Sequence, residues 1–187
     1  SITFEKYSER WIMAKEASLK SQSIRRMKDC LKGIKPYLGN NLIRNITYQD
    51  CERWLIGRGK ELKASAYRQE RQLMIGVLKA AERDGIILDN PATQIPNKKL
   101  PKIEIHVPTH EQFRLLITQM RQADSRGIHG AYLVELLAYS GMRLNEATNL
   151  MWSEIDLDRD CFTVTGGEYG TKNHEIRTVP LFPAMSE

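Results

Sequence analysis

The stretch Ser140-Gly141-Met142-Arg143-Leu144-Asn145-Glu146-Ala147 decides how this 187-residue chain is read. An apolar helical run carrying Tyr132, Leu133, Leu136 and Leu137 ends at Gly141. Arg143 follows in the tight break before the next helix, and Glu146 lies one turn further on. Such a break aims one long side chain away from the packed surface while the flanking helices hold its base still. Arginine is suited to gripping a phosphate through two parallel hydrogen bonds. Taken alone, an arginine after a glycine is by default a surface or helix-capping residue, so the reading turns on its surroundings.

Thirty residues on stands Thr171-Lys172-Asn173-His174-Glu175-Ile176-Arg177-Thr178-Val179-Pro180-Leu181. Cys161 to Thr165 reads as a strand, Gly166, Gly167 and Gly170 are turn formers, and Ile176 to Leu181 reads as another strand. Lys172 falls in or beside the turn between them, where its stem is free to swing into a groove. Most turn lysines simply face solvent, and only the partnership with Arg143 and the following strand lifts this one. Together the two stretches resemble the first half of the catalytic domain of tyrosine recombinases (phage-type integrases and Xer-like enzymes). That family carries a Gly-x-Arg-x-x-Glu box at a helix junction, a lysine in a sheet turn and an Arg-x-Val-Pro-Leu-like strand. Leu150-Met151-Trp152-Ser153-Glu154-Ile155-Asp156 also resembles the family's Leu-x-Trp-x-Asp-Ile-Asp segment, with Glu154 where Asp is common.

The resemblance implies site-specific recombination or integration by DNA strand cleavage and rejoining, without metal or other cofactor. A tyrosine attacks the scissile phosphate to form a 3′-phosphotyrosyl bond, and a free 5′-hydroxyl of a partner strand reverses the step. Two arginines clamp the non-bridging oxygens, and a lysine protonates the leaving 5′-oxygen. By resemblance Arg143 is the first clamping arginine, Lys172 the general acid, and Glu146 the supporting acidic residue. Glu146 also reads as an acidic residue favoured at a helix N-terminus. His174 does not take the family's histidine role, because the family's His-x-x-Arg box lies much later. Tyr169 is the last tyrosine and precedes Lys172, the wrong order for the nucleophile. The chain is therefore expected to be a recombinase fragment that binds duplex DNA without cleaving it, the full-length protein being the enzyme. The alternative is a non-catalytic integrase remnant that occupies sites or blocks a full-length partner. The sequence leaves the target site open, and leaves open whether the enzyme serves a mobile element or resolves chromosomes.

Charge is distributed unevenly. Residues 1–105 hold 21 Lys and Arg against 12 Asp and Glu, a net +9; residues 106–187 hold 7 against 11, a net −4. A positive region attracts a polyanion such as nucleic acid, although charge alone equally fits a basic helical domain. Four helical segments fill the first ninety residues. Thr3 is expected to cap the first, with Phe4, Tyr7, Trp11 and Ile12 on one face. Ser21 or Ser23 is expected to cap the second, which carries Ile24, Met27, Leu31 and Ile34. Thr47 with Asp50 predicts a capped third helix bearing Cys51, Trp54 and Leu55. Ser65 is expected to start the fourth, with Leu73, Met74, Val77, Leu78 and Ala81 inward and Gly85 at its end. On the second helix Arg25, Lys28, Lys32 and Lys35 follow the apolar spacing shifted by one residue, a row able to track a phosphate backbone. Lys63, Arg68 and Arg71 add cations at the fourth helix.

Residues 91–108 hold Pro91, Pro96, Pro101 and Pro108 with Lys98, Lys99 and Lys102, which reads as an extended basic linker. Beyond it, Thr109 and Gln112 predict a capped helix with Phe113, Leu116, Ile117 and Met120 on one side. The expected fold is mainly α: a four-helix core-binding (SAM-like) bundle over 1–90, the linker over 91–108, and an α+β partial catalytic domain with a small antiparallel sheet over 109–187. Cys30, Cys51 and Cys161 lack metal-ligand spacing and read as reduced thiols. No apolar run approaches the ~20 residues of a membrane span. The expected partner is double-stranded DNA, with no membrane. The full-length protein is expected to be a tetramer on DNA, the fragment a monomer, and the location cytoplasmic and nucleoid-associated.

Overall fold

Thr3 opens the first helix: its hydroxyl accepts the Lys6 N–H at 3.4 Å, and helix α1 runs Phe4–Lys15 with Phe4, Tyr7 and Ile12 buried. This is a computed structural model, and it describes residues 2–167, 175–182 and 185. The chain divides into two compact units, Ser1–Glu104 and Ile105–Glu187.

In the first unit α2 spans Ser21–Leu38, α3 Tyr48–Trp54 and α4 Ala64–Arg83. Neither serine caps α2. Lys20 stands at its N-cap and its side chain does not cap the helix, which starts from backbone bonds such as Ser23 N–H to the Lys20 carbonyl at 2.8 Å. Likewise Lys63, not Ser65, precedes α4. The expected box at α3 forms in full, with Thr47 N–H on Asp50 Oδ2 at 2.8 Å and Asp50 N–H on the Thr47 hydroxyl at 3.4 Å. After Trp54 the helix widens into one π turn, Leu55–Gly59. Twenty buried residues form one core, with Trp54, Tyr67, Phe4, Tyr7, Ile34 and Leu78 almost wholly out of water. Each large apolar side chain buried this way contributes about 1.5–3 kcal/mol before entropy is counted, so this unit carries its own stabilising core.

Composition suggested a linker from residue 91, but its first residues are packed. Pro91–Gln94 is a short 3-10 turn capped by Asn90, and Pro91, Ala92 and Ile95 are buried. A proline at the first helical position is compatible with such a turn because its missing N–H is not needed there.

In the second unit α5 spans His110–Ala123 and α6 spans Ser125–Ser140. Thr109 and Gln112 form the expected box, with bonds of 2.9 and 3.3 Å. Asp124 caps the start of α6, its carboxylate accepting the Gly127 N–H at 2.8 Å. Helix α7 is one turn, Leu144–Ala147, so Leu150 lies beyond it. Three antiparallel strands follow in the order β1 (Ile155–Asp156), β2 (Cys161–Val164) and β3 (Arg177–Pro180). Phe162 pairs with Val179 and Val164 with Arg177. Met142, Ala147, Phe162, Val164 and Val179 form the buried cluster. On the predicted inner side of α5 only Ile117 is buried, while Leu116 is 49% exposed. Phe113 and Ile117 line an open groove of about 1030 Å³ together with Tyr132, Leu136, Trp152 and Phe162, among others, and Leu116 lies outside it.

Candidate active site and nucleic-acid interface

Gly141 makes the break that presents Arg143. It ends α6 in the left-handed region (φ +63°), and its N–H caps the Leu137 carbonyl at 3.1 Å. A Cβ there would meet nothing within 4 Å, so conformation rather than space calls for glycine. Met142 turns inward and is 5% exposed, with its N–H on the Ser140 hydroxyl at 3.2 Å. The next side chain turns outward: Arg143 is 53% exposed.

Glu146 is the hub of this site. Its side chain is 4% exposed, yet both oxygens are occupied. Oε1 accepts Arg143 Nη1 at 2.9 Å; Oε2 accepts the Arg143 backbone N–H at 3.0 Å and Arg177 Nη2 at 2.6 Å. The Arg177 guanidinium, then the Arg143 amide, hold the carboxyl down at about 2 against a burial that pushes the other way. Two guanidiniums on one carboxylate leave the cluster a net positive charge, and both are part-exposed. Such a cluster is fitted to an anion that offers two oxygens to a planar guanidinium, as a phosphate or a carboxylate does. Lys172 and His174 lie outside the described residues. Among the described residues no group of three His, Cys, Asp or Glu is placed to hold a metal ion, and no helix is long and apolar enough to cross a membrane.

The cations of the first unit fall into two classes. On α2, Arg25 is exposed, while Lys28 pairs with Glu16 at 2.8 Å and Lys32 with Asp29 at 2.9 Å. Exposed pairs of this kind contribute about 0–1 kcal/mol, so either lysine exchanges its partner for a phosphate at little cost. Lys35 is held by Glu5 at 2.6 Å and Glu9 at 3.0 Å. Arg71 is engaged by the backbone, its Nε on the Ile95 carbonyl at 2.7 Å and Nη2 on Thr93 at 3.4 Å. Lys98 donates to the Gly59 carbonyl and, at 3.2 Å, to that of Leu62, and sits 4.9 Å from the centre of the Tyr67 ring. Lys35, Arg71 and Lys98 thus hold the fold together. Lys63, Arg68, Lys99 and Lys102 are exposed. A groove of about 410 Å³ on this unit is lined by Arg25, Arg26, Arg58 and Gln69, with Arg26 Nε on Gln69 Oε1 at 2.7 Å.

Residues 107–187 match the phage integrase family, and residues 3–56 match the phage integrase N-terminal SAM-like domain. This chain belongs to the phage integrase family. It is 34% identical over 103 residues to tyrosine recombinase XerD of Neisseria meningitidis, serogroup A strain Z2491 and serogroup B strain MC58 alike. The match covers 54% of this chain and 33% of either relative, so the chain matches about a third of their length. Among solved structures, a lambda integrase dimer bound to a COC′ core site superposes with a TM-score of 0.81 at 19% identity, over 99% of this chain and 65% of that one. The Tn1549 transposon integrase in complex with a circular intermediate DNA gives 0.76 at 16% identity, over 99% and 63%. A lambda integrase tetramer bound to a Holliday junction gives 0.78 at 19% identity, over 100% and 54%. These likenesses carry the fold: mainly helical, with a small antiparallel sheet.

Two features of this integrase chain escaped the reading of its sequence. Arg177 was noticed only as part of a strand motif. The signal was the strand's period of two, which puts Arg177 on the same face as buried Val179 and so demands a buried acidic partner. Glu70 falls on the apolar stripe of α4 beside Tyr67, Met74 and Val77, and is 4% exposed. It accepts Arg58 Nε at 2.8 Å and Nη2 at 2.6 Å, and Trp54 Nε1 at 3.1 Å, with Trp54 stacked on Tyr67 at 5.2 Å.

Proposed function

We propose that the protein is a site-specific tyrosine recombinase in which residues 1–187 supply duplex binding and part of the cleavage site. One observation carries the reading. Arg143 stands in a glycine-made break, with its base anchored by buried Glu146 and its guanidinium half exposed. A phosphate meeting it finds a preorganised donor that need not reorganise as charge develops. Arg143 is the clamping arginine, Glu146 fixes it, and Lys172 protonates the leaving 5′-oxygen. In the first step the phosphorus–oxygen bond to the 5′ leaving group breaks as the tyrosyl–phosphorus bond forms. The energy of the diester is retained, so no nucleotide is consumed.

In this reading Arg25, Lys28, Lys32, Lys63, Arg68, Lys99 and Lys102 contact the duplex backbone. Lys35, Arg71 and Lys98 shape the surface that does so. The 187-residue chain alone binds duplex DNA as a monomer without cutting it, and the whole protein works as a tetramer on nucleoid DNA in the cytoplasm. The test is the covalent 3′-phosphotyrosyl adduct formed by the whole protein on duplex DNA. Arg143→Ala is expected to abolish the adduct and leave most duplex binding intact. Loss of both together points instead to a structural arginine, and an undiminished adduct removes the reading.

A further inference from the structure

Arg177 enters the site by geometry. Its Nη2 lies 2.6 Å from Glu146 Oε2, across 31 residues of sequence. Among the described residues, the other side-chain hydrogen bonds of Glu146 are both to Arg143, three positions away. Those two bonds alone leave the carboxylate and the arginine free to swing as one body. Arg177 is different, because its backbone is fixed in the sheet opposite Val164, and Val179 of the same strand shares the core with Met142. It is the bond that references Glu146 to something outside the break.

Charge leads to the same place. Arg143 and Glu146 alone would form a neutral pair, with the carboxylate competing with any phosphate for the guanidinium. Arg177 divides that carboxylate, and Arg143 retains donors and charge for a second anion. At 37% exposure Arg177 is the more covered of the two guanidiniums. Both guanidiniums bond the carboxylate, and Arg143 is the one more open to solvent.

We infer that Arg177 is a positioning residue: from strand β3 it locks the Glu146 carboxylate, and through it sets the aim and free charge of Arg143. The inference rests on the proposed role of Arg143, but its geometric half is testable without cleavage. The same bond also ties strand β3 to the break that carries Arg143.

Two readouts decide it. In the 187-residue chain, carboxyl ¹³C NMR of Glu146 is followed against pH in the wild type, Arg177→Met and Arg177→Lys. Arg177→Met is expected to make Glu146 titrate about 1–3 pH units higher, the span an adjacent cation accounts for. Arg177→Lys, which keeps the charge without the planar fork, is expected to restore most of the difference. In the whole recombinase, Arg177→Met is expected to slow strand cleavage on the order of 10²-fold, as about 1 Å of misplacement does, with duplex affinity unchanged and Arg177→Lys partly rescued. A Glu146 titration that stays at the wild-type position in Arg177→Met overturns the inference. So does wild-type cleavage by Arg177→Met when Arg143→Ala is dead. Full cleavage by Arg143→Ala overturns the proposed function instead, while the titration still rules on Arg177. If Arg177→Met loses its folded amide spectrum, Arg177→Gln, which also removes the cation, takes its place: an unmoved Glu146 titration or wild-type cleavage in that variant overturns the inference.

Discussion

Among the described residues, each unit of this protein buries one glutamate beside arginine, and the two arrangements differ by a single partner. Glu70 and Glu146 are equally covered, at 4% exposure. Glu70 meets one guanidinium, from Arg58, and the neutral indole N–H of Trp54, so its surroundings balance to zero charge. Glu146 meets two guanidiniums, from Arg143 and Arg177, and the surplus positive charge faces solvent. A balanced pair closes a core and asks nothing of a ligand. An overbalanced one uses its carboxylate as an anchor and leaves a cation for something outside the protein. The packing around each agrees: twenty buried residues close the core that contains Trp54, whereas five cluster near Glu146 beside an open apolar groove.

The comparison can be broken by removing either carboxylate. Glu70→Ala leaves Arg58 and Trp54 without their acceptor in a packed core, and is expected to cost about 3–5 kcal/mol in urea unfolding of the first unit. A cost below about 1 kcal/mol contradicts the reading of Glu70 as part of a balanced pair that closes the core. Next in size is the acid response of the second unit. Glu146 is depressed from its ordinary 4.5 to about 2 in the folded chain. Its contribution is therefore fully present above pH 4.5 and lost as pH falls through about 2. With solvent screening the two part-exposed guanidiniums, it amounts to about 1–3 kcal/mol. Glu146→Gln is expected to lower stability at neutral pH and to abolish that part of the acid transition; an acid profile identical to wild type counts against the hub.

Smaller effects sharpen the contrast. A Cβ on Gly33 would stand 2.5 Å from Arg58 Nε, inside the Glu70 pair. Gly33→Ala is expected to cost about 1–3 kcal/mol of overpacking, despite the gain in helix propensity, and a more stable variant would show that the pair yields. Smallest is the effect on duplex binding. Arg68→Gln is expected to reduce the slope of log affinity against log salt by about 1, one phosphate contact. Lys35→Gln is expected to reduce it far less, because Glu5 and Glu9 already hold that lysine. Equal slopes for the two would erase the division between tethered and exposed cations.

Local rules made much of this fold legible. The boxes Thr47–Asp50 and Thr109–Gln112 start α3 and α5 as their spacing requires, and the Gly141 break stands where an apolar run meets a glycine. Long-range pairing was not legible in the same way. The α2 cation row has the right period for a phosphate track, but period says nothing of Glu5, Glu9 and Glu16, which reach it from α1 and the turn after it. The packing of Pro91–Gln94 was hidden because proline content reports what a segment cannot do, and here the partners Asn90 and Arg71 decide what it does. In the site, Glu146 was readable from its distance to Arg143. For Arg177 the period of two shows the face it shares with Val179, but not that Glu146, 31 residues away, is its partner.

The most direct measurement follows the arginine side chains themselves. Guanidinium ¹⁵N signals of Arg143 and Arg58 are recorded in the 187-residue chain as a short DNA duplex is added. The account predicts that Arg143 shifts and loses rotational averaging as it takes a phosphate, while Arg58 stays fixed on Glu70. An Arg143 signal that never moves at saturating duplex contradicts it, most plainly if Arg58 moves instead.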